Sequence, residues 1–331
     1  MDQVTFNNLT LIKDKSLEET SLPQLGFRLW QALDQIQPDE LAIAGYGRAS
    51  MLIALLWASL NRKPAVLLSQ TTEKDTSPSY SRRYLKQYLL SRYEAAFVGG
   101  KPQRRYLVNL GFPKDVVFPG YATVNNSVFA PESIRSLPHL LERPYFLAVN
   151  RFIAKKNLPF LLNAYHAYRH QAGNSAWDLV LCGDGKLRPQ LEQQVAQLDL
   201  SQSVHLPGFL QQPALLPYFA HAHCFVHTST QEQWGLVVNE AMAAGLPVLV
   251  SNACGCVEDL VIEGVTGFSF DPTNLEQLVG LMHKVSASEV KLQSMGQAAL
   301  SHIECFSPDS FAQGMLQAAD YALKQFNTKF K

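Results

Sequence analysis

Glu232-Gln233-Trp234-Gly235-Leu236-Val237-Val238-Asn239-Glu240-Ala241-Met242-Ala243-Ala244-Gly245-Leu246-Pro247-Val248 is the stretch on which the reading of this chain turns. The apolar run Cys224 to His227 before it reads as a buried strand. Gly235 to Ala244 reads as a helix, and Pro247 to Val250 as the next strand. Strand, loop, helix and strand with short connections make the repeating unit of a parallel sheet covered by helices. Within this unit two carboxylates stand eight positions apart, Glu232 in the loop and Glu240 a turn or so into the helix. Gly235 lets a ligand approach the backbone N–H groups at the helix start. A carboxylate accepts two hydrogen bonds at once, which suits the vicinal diol of a sugar or ribose. An isolated pair of glutamates would read instead as a capping or surface residue and a solvated helix position, so the surroundings must decide.

Working outward, the same alternation fills the chain. After this unit come two helices near 274–285 and 288–302 and a tail helix from Pro308 to Phe326. Before it lie strand Tyr145 to Val149, helix Leu158 to His170, strand Asp178 to Cys182, helix Leu187 to Leu198 and the short strand Val204 to Leu206. The stretch from Asn125 to Pro144 breaks the rhythm with three prolines and reads as a linker. Upstream, strands are expected at Leu41–Ala44, Pro64–Ser69, Ala95–Val98 and Val116–Phe118. Helices are expected at 48–61, Tyr80–Arg92 and Lys101–Leu110. In such sheets ligands sit at the carboxyl ends of the strands. The chemistry-bearing residues fall there. Val149-Asn150-Arg151-Phe152-Ile153-Ala154-Lys155-Lys156-Asn157 delivers Arg151 at a strand end and Lys156 at the mouth of a helix, two cations suited to a diphosphate. Gly183-Asp184-Gly185 follows another strand, as does His205-Leu206-Pro207-Gly208-Phe209-Leu210.

The 232–248 segment resembles the Glu-x7-Glu signature of the retaining glycosyltransferases of family 4, the group 1 glycosyltransferases, which have the GT-B fold. The resemblance extends through the Arg151–Lys156, Gly183–Gly185 and Phe209–Leu210 segments, in the family's order, over residues 145–305. It implies an α/β chain with two Rossmann-like domains and a cleft between them. It also implies roles. Glu232 would contact the hydroxyls of the donor sugar, Glu240 the ribose, and the backbone of Trp234, Gly235 and Leu236 the sugar and phosphates. Arg151 and Lys156 would neutralise the departing diphosphate, which makes Arg151, Lys156 and Glu232 the catalytic set. Gly183, Gly185, Phe209 and Leu210 would complete the donor site. Asn150 stands where the family commonly has Gly. Glu258, in the loop from Ser251 to Asp259, is expected to cap the short helix starting near Val257.

Residues 1–40 lack the Gly-rich turn with which such chains open, so the chain reads as beginning partway into its N-terminal domain. The expected division is 1–139, an acceptor-side domain; 140–305, the donor domain; and 306–331, a tail helix crossing back to the first. The loop after Ser69 offers Glu73 or Asp75 as an acidic group, or is simply solvated. The helix from Tyr80 carries Arg82, Arg83, Lys86 and Arg92 among Tyr84, Leu85 and Tyr88. Such a helix can rest on anionic lipid, grip a charged acceptor or only cover the surface.

Composition excludes several classes. The 331 residues suit two domains. With 28 basic and 28 acidic side chains there is no basic excess for a nucleic-acid binder. No apolar h-region follows Met1, and the best apolar run, Met51 to Leu60, is too short to span a bilayer. Five cysteines fit reduced thiols in a cytosol, with contact at the inner membrane face left open. Cys254-Gly255-Cys256 lacks a second ligand pair. His221, His223 and His227, expected on one face of a strand, read as core or rim histidines. No metal and no bound cofactor are expected, because two cations and a helix dipole meet the diphosphate. The expected activity is transfer of a hexose from a nucleoside diphosphate sugar to a hydroxyl of a sugar, lipid or small molecule, with retention, in polysaccharide or glycolipid synthesis. The alternative is a sugar-nucleotide-binding subunit without activity of its own, or one needing a partner to complete the N-terminal domain.

Overall fold

The computed structural model describes residues 9–13, 19–75, 80–287 and 289–329. The side chain of Arg82, named above, lies outside them. In chain order the first elements are α1 (Leu22–Ile36), β1 (Leu41–Ala44), α2 (Ala49–Leu60), β2 (Ala65–Ser69), α3 (Tyr80–Leu90), β3 (Ala95–Val98), α4 (Lys101–Asn109) and β4 (Val117–Pro119). Two short helices follow, α5 (Asn126–Phe129) and α6 (Pro131–Ile134). Then come β5 (Tyr145–Val149), α7 (Leu158–Ala172), β6 (Asp178–Cys182), α8 (Arg188–Gln197), β7 (Val204–Gly208), α9 (Gln212–His221), β8 (Cys224–His227) and α10 (Leu236–Ala243). The last are β9 (Val248–Ser251), α11 (Val257–Leu260), β10 (Gly267–Phe270), α12 (Leu275–Ser286), α13 (Glu289–Ile303) and α14 (Pro308–Lys329).

The strands form two parallel sheets, ordered β1-β2-β3-β4 and β10-β9-β8-β5-β6-β7. Alternation along each strand feeds two cores. In the first sheet Leu41, Ile43, Leu67, Ala96 and Val98 pack under α2 and α4, where Trp57 is fully buried. The opposite face, Val66 and Phe97, is covered by Ala318 and Ala322 of α14. Trp57 Nε1 donates to Asp34 Oδ1 at 2.7 Å, fastening α1 to α2 and satisfying an indole that would otherwise be orphaned. In the second sheet Phe146 and Leu179 meet Leu161 and Tyr165 of α7 and Met282 of α12. On its other face Leu147, Val180 and Phe225 meet Val238 and Met242 of α10.

Several expectations change. Helices α1 and α9 were not foreseen. The stretch 125–144 is not a free linker: its Phe129 and Ile134 are buried in the second sheet's core. The boundary expected at 139/140 therefore falls inside a segment already committed to the second unit. His221 ends α9 and His223 precedes β8, so only His227 is on the strand. The three do not share a strand face.

Hydrogen bonds join the two units along one seam. Gln103 Nε2 donates to the Gln233 carbonyl at 2.6 Å, and the Lys101 amide to Asp259 Oδ2 at 2.9 Å. Lys74 Nζ donates to the Asn252 carbonyl at 2.8 Å. Arg105 forks onto both oxygens of Glu258, at 2.7 and 2.8 Å. Glu258 is therefore a tie between units rather than a helix cap, and the seam holds the loop after β8 against the first unit.

Candidate donor site

The order of the second sheet reverses between β5 and β8. Helices leave these neighbours toward opposite faces, so a crevice opens at their carboxyl ends. A cavity of about 480 Å³ occupies it. Four strand ends and one helix start converge there. The end of β5 supplies Asn150 and Arg151, with Lys156 in the single helical turn Ala154–Lys156 before α7. The end of β6 supplies Gly183 and Asp184, and that of β7 Phe209 and Leu210. The loop after β8 supplies Glu232 and Gln233, and the start of α10 supplies Trp234, Gly235, Leu236 and Glu240. Gln70, at the end of β2, is the first unit's contribution.

Of the catalytic and donor-site residues expected from the sequence, Gly185 alone is absent from the cavity wall. Its backbone lies against Phe152, and a Cβ there would meet the Phe152 carbonyl oxygen at 2.6 Å. It serves the fit between the turn after β6 and the loop after β5. Gly183 is tighter still. Its φ is +135° and a Cβ would sit 1.8 Å from the Asn150 carbonyl oxygen. Gly235 needs its freedom for another reason. It stands at φ +108° as the residue before α10, a conformation that costs an L side chain about 1–2 kcal/mol.

The carboxylates differ sharply in their surroundings. Glu232 is ion-paired with Lys156 Nζ on one oxygen, and Lys155 Nζ lies 3.7 Å from the other. Ser229 Oγ stands 3.5 Å and His227 Nε2 3.9 Å from the Lys156-bound oxygen. Lys156 is 9 % exposed, so the pair is largely removed from water. His227 is fully buried; that burial, and then the two lysines, push its pKa down to about 3, so it is neutral. Glu240 has no hydrogen-bond or ion-pair partner among the described residues, and burial pushes its pKa up to about 7. It is a carboxylate placed without a donor, in the wall of a cavity. Arg151 is exposed and likewise makes no ion pair among the described residues.

Asn150 adds a feature the sequence flagged only as a departure. It is 8 % exposed, and neither its Nδ2 nor its Oδ1 has a partner. A buried unsatisfied polar group costs roughly 1–3 kcal/mol, which a ligand or water would recover. Lys155, Ser229, His227 and Gln70 were not read as site residues. Only the adjacency of Lys155 to Lys156 was a usable signal, because the other three arrive by tertiary packing. Trp234 is buried, its Nε1 donating to Asn239 Oδ1 at 2.8 Å, and offers the cavity mainly its backbone. Burial pushes the Cys254 thiol up to about 12 and the Cys256 thiol well above its ordinary value, which keeps both protonated.

The description "Glycosyl transferases group 1" belongs to the family whose model matches residues 129–302. The chain is 28% identical to the mouse alpha-1,3/1,6-mannosyltransferase ALG2 over 61% of its own length and 51% of that protein's. It is 27% identical to the D-inositol 3-phosphate glycosyltransferase of Streptomyces avermitilis over 61% of its length and 39% of the relative's. The chain thus spans about half or less of the length of these curated relatives. Among solved structures, Anabaena Alr3699/HepE in complex with UDP superposes with a TM-score of 0.77 at 20% identity, over 90% of this chain and 82% of that one. A Rickettsia africae glycosyltransferase superposes with a TM-score of 0.75 at 14% identity, over 95% and 84%. The two parallel sheets with their cleft are the GT-B arrangement.

Proposed function

This chain belongs to the group 1 glycosyltransferases, and on that premise we propose that it moves a hexose from a nucleoside diphosphate sugar to an acceptor hydroxyl, with retention at the anomeric carbon and without a metal ion. The observation that carries the reading is Glu240, a mostly buried carboxylate without a partner, in one cavity with Arg151, Lys156 and Glu232. A ribose diol would donate both its hydroxyls to Glu240. The diphosphate would then lie along the start of α10, where free N–H groups point toward it. Arg151 would fork onto it and Lys156 would add a point charge. The mannosyltransferase and inositol-phosphate relatives, and the UDP bound by the Anabaena protein, support this class of ligand.

In the transfer step the bond from the anomeric carbon to the diphosphate oxygen breaks, with its electron pair leaving on the diphosphate, while the acceptor oxygen bonds the same carbon on the same face and its proton passes to the departing diphosphate oxygen. Arg151 and Lys156 stabilise that developing charge, the kind of contribution that usually dominates such catalysis. Glu232, held by Lys156 and Lys155, accepts hydrogen bonds from the sugar hydroxyls and fixes the ring. The acceptor, a hydroxyl of a sugar, lipid or small molecule, would enter beside Glu232, where Asp75, Lys155 and Gln231 line a second cavity of about 260 Å³. The cysteines among the described residues are all free, which fits work in a reducing compartment. No helix among the described residues is long and apolar enough to cross a membrane.

A thermal-shift screen of nucleoside diphosphate hexoses, followed by a transfer assay with NMR of the product's anomeric proton, tests the proposal. The expected product keeps the donor's anomeric configuration, at a rate unchanged by EDTA. Inversion would remove retention, and a loss restored by magnesium or manganese would remove metal independence. No nucleotide binding at all would end the donor-site reading.

A further inference from the structure

Charge is unevenly spread over the first unit. The whole chain balances 28 basic against 28 acidic side chains, yet from Arg48 to Arg105 there are eleven basic and three acidic ones. Between Asp75 and Glu94 there is no acidic residue, while Arg82, Arg83, Lys86 and Arg92 fall there. Helix α3 occupies the middle of this stretch. Arg83 Nη2 donates to the Asn109 carbonyl and Lys86 Nζ to the Tyr106 hydroxyl, both at 2.8 Å, which fastens α3 to α4. On its outward side Tyr84, Leu85 and Tyr88 are 72, 59 and 58 % exposed. Arg92, just past the end of α3, folds against Tyr88 on that side. The Arg92 guanidinium lies 4.9 Å from the Tyr88 ring centre and donates to its hydroxyl at 2.9 Å. Helix α2 packs on the same face of the sheet and turns Leu52, Leu56 and Leu60 to solvent.

We propose that this helical face docks the chain on an anionic lipid surface. Leu85 and the α2 leucines would enter the boundary between headgroups and acyl chains. Tyr84 and Tyr88 would sit at headgroup level, and Arg92 beside Tyr88 would meet a lipid phosphate. The apolar side chains decide against nucleic acid as the occupant. Two of the α3 cations are tied back to α4, and it is tyrosine and leucine that lead outward. Helix α3 begins shortly after Asp75 in the chain, and Asp75 lines the cavity beside Glu232. The inference stands on surface geometry and charge and does not depend on the donor site.

Flotation of the full chain with vesicles tests it, using phosphatidylcholine alone and phosphatidylcholine mixed with phosphatidylglycerol. Binding is expected to the mixed vesicles only and should weaken as salt is added. The triple variant Tyr84→Ser, Leu85→Ser, Tyr88→Ser should lower partitioning by about tenfold or more. Arg92→Gln should lower it about fivefold, the effect of one cation near such a surface. Far-UV circular dichroism and the melting temperature report whether the variants remain folded. No binding to the mixed vesicles at low salt, or binding that a folded triple variant retains, overturns the proposal. Tighter binding to duplex DNA or to polyglutamate than to the mixed vesicles, lost in the same variants, would assign the face to another partner and also overturn it.

Discussion

In the first sheet the strands lie in chain order, so each crossover steps the same way and α2, α3 and α4 gather on one face. In the second the chain begins in the middle at β5, runs outward to β7, then returns to the other side of β5 for β8, β9 and β10. Among the described residues the first arrangement has no reversal of strand order, and so no crevice of the switch-point kind. The second has one, and it holds Arg151, Lys156, Glu232 and Glu240. Two sheets built from the same unit thus divide the work unequally. The first serves as a wall, contributing Gln70 and the α4 seam, while the second carries the charges. Strand order, not the strand–helix unit itself, makes the site.

The sharpest way to break this comparison is at the turns. Gly183 follows β6 at the crevice, and Gly45 follows β1; both have positive φ. A Cβ at Gly183 would collide with the Asn150 carbonyl, whereas one at Gly45 would meet nothing within 4 Å. Gly183→Ala is expected to destabilise the fold by more than about 4 kcal/mol, since main chain must move. Gly45→Ala should cost about 1–2 kcal/mol, the conformational part alone. Equal losses in urea titrations would deny that the crevice is the more tightly constrained region.

Next in size is the pair inside the crevice. Lys156→Ala leaves Glu232 largely buried with only Lys155 nearby, and should cost about 3 kcal/mol of stability. Adding Glu232→Ala should recover part of that loss. A double-mutant cycle showing simple additivity would mean that the two side chains do not act as a pair.

Glu240 sharpens the comparison through pH. Its carboxyl is raised from 4.5 to about 7 in the folded chain. Below about pH 4.5 it is neutral, folded or unfolded, and has no effect. As pH climbs toward 7 the unfolded chain ionises first, so stability falls, and above 7 the full cost of the buried charge remains. Glu240→Gln should therefore match the parent at low pH and exceed it above pH 7 by about 1–3 kcal/mol. Thermal melts across that range decide it, and a constant difference would remove burial as the cause. The same carboxylate should matter for binding. Glu240→Ala is expected to weaken a nucleoside diphosphate by about 1.5–3 kcal/mol in calorimetry.

The smallest effect belongs to the seam. The Arg105–Glu258 pair is roughly half exposed on both sides. Arg105→Ala should cost no more than about 1 kcal/mol, and less in high salt. A larger, salt-independent loss would make the first unit more than a wall.

Much of this was legible in the sequence because strands of a covered parallel sheet leave short continuous apolar runs, and each stretch expected to be a strand is one within a residue or two. The crevice residues were legible because they lie at the ends of those runs. What was hidden has physical reasons. Helix α9 carries Pro213 in its first turn and Pro217 inside, so its local signal argues against a helix until packing around Phe219 overrides it. The prolines of 125–144 suggested a linker, yet Phe129 and Ile134 found apolar partners that no local pattern names. Glu258 meets Arg105 across 153 positions of chain, and no spacing rule reaches that far. The glycines of Gly183-Asp184-Gly185 read as one motif, but the fold separates them, one into the cavity wall and one against Phe152.

Helix α14 has a bearing on how the chain is made. It follows all ten described strands in the chain, and its Ala318 and Ala322 pack on the face of the first sheet that includes Val66 and Phe97. Until Ala318 and Ala322 arrive, that face stays wet, although β1 to β4 were synthesised long before. The second unit, whose strands and helices are close in sequence, can close its own core first. Synthesis order and folding order are therefore opposed: the half made first is finished last, and during that interval a chaperone would find its apolar surface at Phe97.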